Sequence, residues 1–169
     1  MGSSKINWPE DLRPENSPVY TYNELVIPVE PRLVWAWLIR AERWPQWYPH
    51  WKDVEILSGA GPDLEPGTVF IATAPILKIF RVKIKTIVQD FAPLARLAWR
   101  GKAFGVHGYH AWIIEPQEAG CKVITEETQR GVLVSLTRSA TQQEILRRHQ
   151  IWLEALAKMS QRGLPDQIT

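Results

Sequence analysis

The chain has 169 residues, nine of them Trp and 13 Pro, with a formal net charge of +2; this length suggests one domain, able to bury roughly 70% of the surface its unfolded form exposes. So small a charge gives no sign of nucleic-acid binding. The single cysteine, Cys121, rules out an intrachain disulfide or a Cys-cluster metal site and fits a reducing compartment. No apolar run approaches ~18 residues and no apolar segment opens the chain, so neither a transmembrane helix nor a signal peptide is expected, and a cytoplasmic location is.

Residues 1–18 are polar and carry Pro9, Pro14 and Pro18. They read as a flexible or loosely docked extension, with Trp8 the residue able to anchor it. The opening "MGSSKI" has Ile6 where a myristoylation signal wants Ser or Thr. The domain proper is expected over 19–163, with 164–169 as a tail. "VYTYNELVIPV" (19–29) is β-branched and aromatic, hence a strand, and Pro28 confines it to an edge or a terminal portion. In "PRLVWAWLIRAE" Pro31 suits a first helical turn. That helix should end before Trp44, because the residue preceding a proline is pushed out of the helical region. Pro45 then opens a second, very short helix that Pro49 limits. The stretch "ERWPQWYPHW" (42–51) thus concentrates three Trp and a Tyr where no long helix can form.

From residue 53 the pattern changes to strands: "DVEILSG", "TVFIATA", "KIFRVKIKTIVQD", "LARLAWRG", "VHGYHAWIIEP" and "CKVITEETQRG", separated by Pro- or Gly-containing turns. In the third of these Phe80, Val82, Ile84, Thr86 and Val88 share one face, and Arg81, Lys83 and Lys85 the other. After Gly131 the pattern is helical to about Gln161. Ile145, His149, Trp152, Leu156 and Met159 form one stripe, and Gly163 with Pro165 ends it. Successive strands with short connections imply an antiparallel sheet. One helix over a strongly curved seven-stranded sheet cannot fill the concavity, so the expectation is α+β with an internal cavity.

This order resembles the START-like (SRPBCC) superfamily, and its polyketide cyclase/dehydrase-like branch most closely, over about residues 20–160. The residues that carry the resemblance are Val29, Pro31, Val34 and Trp35, then Trp44, Pro45, Trp47 and Pro49. Gly67, then His110, Trp112 and Pro116, and finally Glu127 and Gly131, continue it. The resemblance implies a helix-grip fold, two short helices after the first strand, and a hydrophobic-ligand cavity between sheet and C-terminal helix. It does not imply one reaction.

Pairing the last two strands across a turn near 117–120 sets Ile114 against Val123, Trp112 against Thr125 and His110 against Glu127. These six share a face, read as the concave one, although Ile113 and Ile124 then lie on the other. A His110–Glu127 pair inside the cavity can orient a ligand's polar group or move a proton, or can serve only as a satisfied structural pair. His149, on the inner stripe of the helix, faces them or simply packs. The expected cavity wall is Phe80, Val82, Trp99, His110, Trp112, Glu127, His149 and Trp152, with Trp47 and Tyr48 at the entrance. His107 and His110 point to opposite strand faces, and no close metal-ligand spacing, phosphate loop or nucleophile elbow is present, so neither metal nor cofactor is expected. Arg81, Lys83, Lys85, Arg96 and Arg100 gather on the convex face, either as a solvated surface or as a contact for an anionic membrane or acidic partner. The leading expectation is a binding protein for a small hydrophobic molecule: a lipid, an isoprenoid or a polyketide-like aromatic. The alternatives are a cyclase or dehydratase using His110 and Glu127, and a protein-interaction module with an incidental cavity.

Overall fold

The alternating segments pair as the short connections require. The computed structural model describes residues 5–76 and 80–167, apart from the side chains of Ile76, Phe80 and Gln167. Its strands are β1 (Val19–Ile27), β2 (Asp53–Ser58), β3 (Val69–Ile76), β4 (Phe80–Ala92), β5 (Arg96–Ala103), β6 (Val106–Gln117) and β7 (Gly120–Arg130). They form one curved sheet in the order β1-β7-β6-β5-β4-β3-β2, antiparallel at every pairing described. The β6–β7 register is the expected one: Ile114 faces Val123, Trp112 faces Thr125 and His110 faces Glu127. β1 lies at an edge, and the strand stops at Ile27, just before Pro28.

Helix α1 (Pro31–Leu38) starts on Pro31, whose fixed φ suits the first turn and whose missing N–H costs nothing there. It ends earlier than the pre-proline rule alone requires, and a 3-10 turn (Ala41–Arg43) leads into α2 (Trp44–Trp47). Pro45 sits in the first turn of α2, and Tyr48, the residue before Pro49, is extended. The expected helix after Gly131 is two helices, α3 (Val132–Leu136) and α4 (Arg138–Gln161). Thr137 separates them with non-helical dihedrals, and its hydroxyl donates to the Leu133 carbonyl at 2.8 Å. At Gly131, with φ +145°, a Cβ would stand 2.6 Å from the Gly105 carbonyl oxygen. Only glycine permits that approach, which holds α3 against the β5–β6 turn.

The main core fills the space between the concave sheet face and α1, α2 and α4. Trp44, Trp112 and Trp152 are its largest buried side chains. A second core lies on the convex face and explains why Ile113 and Ile124 are apolar. Ile6 and Leu12 pack there on Ala98, Tyr109, Ala111, Ile113 and Ile124. Residues 5–18 are therefore not a loose extension in this structure. Leu12 is fully buried, Thr128 Oγ1 donates to its carbonyl at 2.7 Å, and Trp8 packs 5.5 Å from Tyr109. Arg100 forks onto Asp11, and Arg96 pairs with Asp90, whose carboxylate also accepts from Asn7 Nδ2 at 3.0 Å, so two of the five convex-face basic residues serve the docking of this segment. Arg81, Lys83 and Lys85 are exposed. At the other terminus Trp37 Nε1 donates to the Gly163 carbonyl, and Asp166 pairs with Arg40 and Arg43.

Candidate functional site: an aromatic cavity with a polar end

A cavity of about 390 Å³ lies between the concave face and α4. The alternation of β4 turns Val82, Ile84 and Thr86 inward, and β3 contributes Phe70, Ala72 and Ala74. The α2 region closes one side. Tyr48 stacks on Trp152 (4.6 Å, 8°), Trp44 meets Trp152 edge-on at 5.1 Å, and Trp99 lies 5.3 Å from Trp44. Such pairs contribute about 0.5–1.5 kcal/mol each beyond their buried area. Trp44 Nε1 donates to the Leu38 carbonyl and Tyr48 Oη to that of Arg148. At the mouth, Phe104 and Leu133 line the cavity while remaining largely exposed.

The polar end joins three elements. His149 Nε2 on α4 is 3.0 Å from Glu127 Oε2 on β7, and His110 Nδ1 on β6 is 3.5 Å from the same oxygen. Gln129 Nε2 donates to Glu127 Oε1, and His110 Nε2 is 2.7 Å from Thr125 Oγ1. The His110 ring is held between Trp112 (5.3 Å) and His149 (4.5 Å). Burial holds the His110 imidazole well below its ordinary pKa, with the neighbouring His149 adding to the effect and Glu127 opposing it. Its contact with Glu127 is therefore that of a neutral ring. Burial alone would raise the Glu127 carboxyl. The His149 hydrogen bond, together with the other donors around it, outweighs that and holds the group low, as a carboxylate. As an acceptor, this carboxylate places the His149 proton on Nε2. His149 Nδ1 is then left buried without a protein partner, as are Trp51 Nε1 and Trp152 Nε1 in the same wall.

Of the residues expected to line the cavity, Tyr48, Val82, Trp99, His110, Glu127, His149 and Trp152 do so. The side chain of Phe80 lies outside the described residues. Trp112 is fully buried behind His110 and Trp47 packs edge-on against Trp37 at 6.4 Å; neither is among the lining residues. Gln129 and Arg148 line the cavity without having been singled out. Gln129 was legible, since it lies two positions along the strand from Glu127 on the same face. Arg148 was legible in the same way, since it lies three residues after Ile145 and four before Trp152, on the inner side of the helix.

The family model described as "Polyketide cyclase / dehydrase and lipid transport" matches residues 21–161. The chain belongs to this family. No curated protein matches the sequence. Among solved structures, the polyketide cyclase/dehydrase-family chain is similar to the hypothetical protein jhp0584 from Helicobacter pylori. The identity is 26%, the TM-score 0.81, and 95% of this chain and 98% of that one are covered. TTHA0849 from Thermus thermophilus shares 15% identity at TM-score 0.72, covering 85% and 98%. The Zhui aromatase/cyclase from Streptomyces sp. R1128 shares 16% at TM-score 0.69, covering 85% and 93%. The last two likenesses establish the fold alone. Among the described residues no helix is long and apolar enough to cross a membrane.

Proposed function

We propose that this protein binds a small, largely apolar molecule carrying hydroxyl or carbonyl oxygens, in the cavity between sheet and α4. The observation that carries the reading is the cavity itself: about 390 Å³ walled by Trp44, Tyr48, Trp51, Phe70, Trp99 and Trp152, with Glu127, Gln129, Arg148 and His149 also in its lining. Such polar side chains in an apolar wall supply the few hydrogen bonds that orient a ligand's oxygens. The volume lies within the range of small-molecule pockets, about 300–1,000 Å³. Flat Trp and Tyr faces suit a planar polyketide-like ring system better than a flexible acyl chain, which would lose more conformational freedom on binding. An interaction module with an incidental cavity would have let the walls collapse. The ligand is expected in the cytoplasm, a location that fits the single buried cysteine. Exposed Arg81, Lys83 and Lys85 supply a surface for an anionic membrane or acidic partner.

A panel of aromatic polyketides, isoprenoids and fatty acids tests this by tryptophan emission and thermal shift. Ring compounds with oxygen functions should change both signals, because a ligand that binds only the native state stabilises it. Silence across the whole panel would reject the binding role. A second reading, a cyclase or dehydratase, draws on the approach of His110 and His149 to Glu127, which provides a proton donor and acceptor beside the ligand. Incubation with an unreduced poly-β-ketone should then yield a cyclised, dehydrated product by mass, and recovery of unchanged substrate would exclude it.

A further inference from the structure

The polar end has a geometry that ligand binding does not require. His110 Nδ1 and His149 Nε2 stand 3.5 and 3.0 Å from Glu127 Oε2, and the three residues each offer one donor atom within 4.8 Å of the other two. With bonds of about 2.1 Å, two ligands of a tetrahedral cation are separated by about 3.4 Å. The surrounding contacts leave the inner atoms available as electron-pair donors. With the single His110 proton on Nε2, facing Thr125 Oγ1 2.7 Å away, Nδ1 is unprotonated. Gln129 occupies Glu127 Oε1 and leaves Oε2. A shift of the His149 proton from Nε2 to the buried, unpartnered Nδ1 makes Nε2 a ligand as well. The Thr125 and Gln129 contacts are of the kind that fix tautomers and orient carboxylates in metal centres. The Glu127 charge, meanwhile, has no Lys or Arg hydrogen-bonded to it among the described residues.

We propose that His110, Glu127 and His149 form a site for one divalent first-row cation, the nitrogen and oxygen donor set suiting zinc, with an open coordination position on the cavity. Loading moves the Nε2 proton of His149 to Nδ1 and ties α4 to β6 and β7. A ligand oxygen or a water could then complete the coordination sphere. The site does not depend on which molecule the cavity takes, so its test is separate from the ligand panel.

The full chain, free of an affinity tag and stripped with a chelator, is titrated with Co²⁺ and then with Zn²⁺. One Co²⁺ per chain should give the visible absorption of a low-symmetry nitrogen–oxygen site, one Zn²⁺ should bleach it, and either ion should raise the melting temperature. Glu127→Gln should abolish the band. Thr125→Val, which preserves side-chain size and removes only the outer contact, should weaken binding about 10- to 100-fold. It gives the reading should Glu127→Gln fail to fold. His107→Gln, on the opposite face of β6, should bind like the parent. No band and no thermal shift would overturn the proposal. So would binding that survives Glu127→Gln or is lost in His107→Gln, since either would indicate an adventitious surface site.

Discussion

His110, Glu127 and His149 are 17 and 22 positions apart in sequence, and what joins them is register plus helix placement. The His110–Glu127 adjacency was legible because a short turn fixes the pairing of β6 and β7. The contact to His149 was legible only as a position on the inner stripe, since nothing in a sequence sets how far a helix slides along a sheet. Side chains in one network couple, so a His149→Gln/Glu127→Gln double-mutant cycle should show an interaction of about 0.5–3 kcal/mol in denaturant unfolding. Additivity would mean that the two groups do not touch in solution. The tryptophans divide in a way that the stretch at 42–51 did not reveal. Trp51 and Trp152 line the cavity, whereas Trp47 packs on the buried Trp37 and is not in the lining. Trp152→Phe should therefore change the fluorescence response to any bound ligand, and Trp47→Phe should leave affinity unaltered.

At the scale of elements, the strands were readable because alternation leaves a mark on every second residue, and α1 and α2 because prolines start and stop them. The docking of residues 5–18 was readable only at Trp8, the anchor that its size suggested. Ile6 and Leu12 show no periodicity of their own and acquire meaning only against Ala98, Ala111, Ile113 and Ile124. This segment should be structural: Leu12→Ala should cost about 2–5 kcal/mol in denaturant unfolding, as for other fully buried leucines. Its tether should also be acid-labile. The hydrogen bonds from Arg100, foremost among several contacts, hold the Asp11 carboxyl below its usual value of 3.8. A lowered carboxyl contributes stability above its unfolded pKa and loses it as the pH falls toward the folded one. The melting temperature of Asp11→Asn should accordingly lie below that of the parent at neutral pH and converge with it below about pH 3.8. Parallel curves would show that Asp11 contributes nothing. The α3–α4 break at Thr137 was hidden for a different reason. No Gly or Pro marks it, and Thr is an ordinary helix residue until its hydroxyl takes a carbonyl of the preceding turn.

For the molecule as a whole, a seven-stranded sheet wrapped on one 24-residue helix has more concave surface than the helix can cover, and aromatic side chains from α2 and the strands fill only part of the remainder. The architecture followed from the order of elements. The shape and contents of the space did not, because a cavity is defined by the side chains that fail to meet. The central claim is that this space holds a ligand, and it can be tested by closing it. Ala74 lines the cavity with little of its surface exposed, so Ala74→Phe should fill part of the volume at an overpacking cost of about 1–3 kcal/mol. Native mass spectrometry of the freshly purified parent and of this variant, each incubated with the best compound of the ligand panel, is the direct measurement. The parent should carry one ligand per chain and the folded variant should appear at its bare mass. Equal ligand occupancy of the two would place binding outside the cavity and contradict the account.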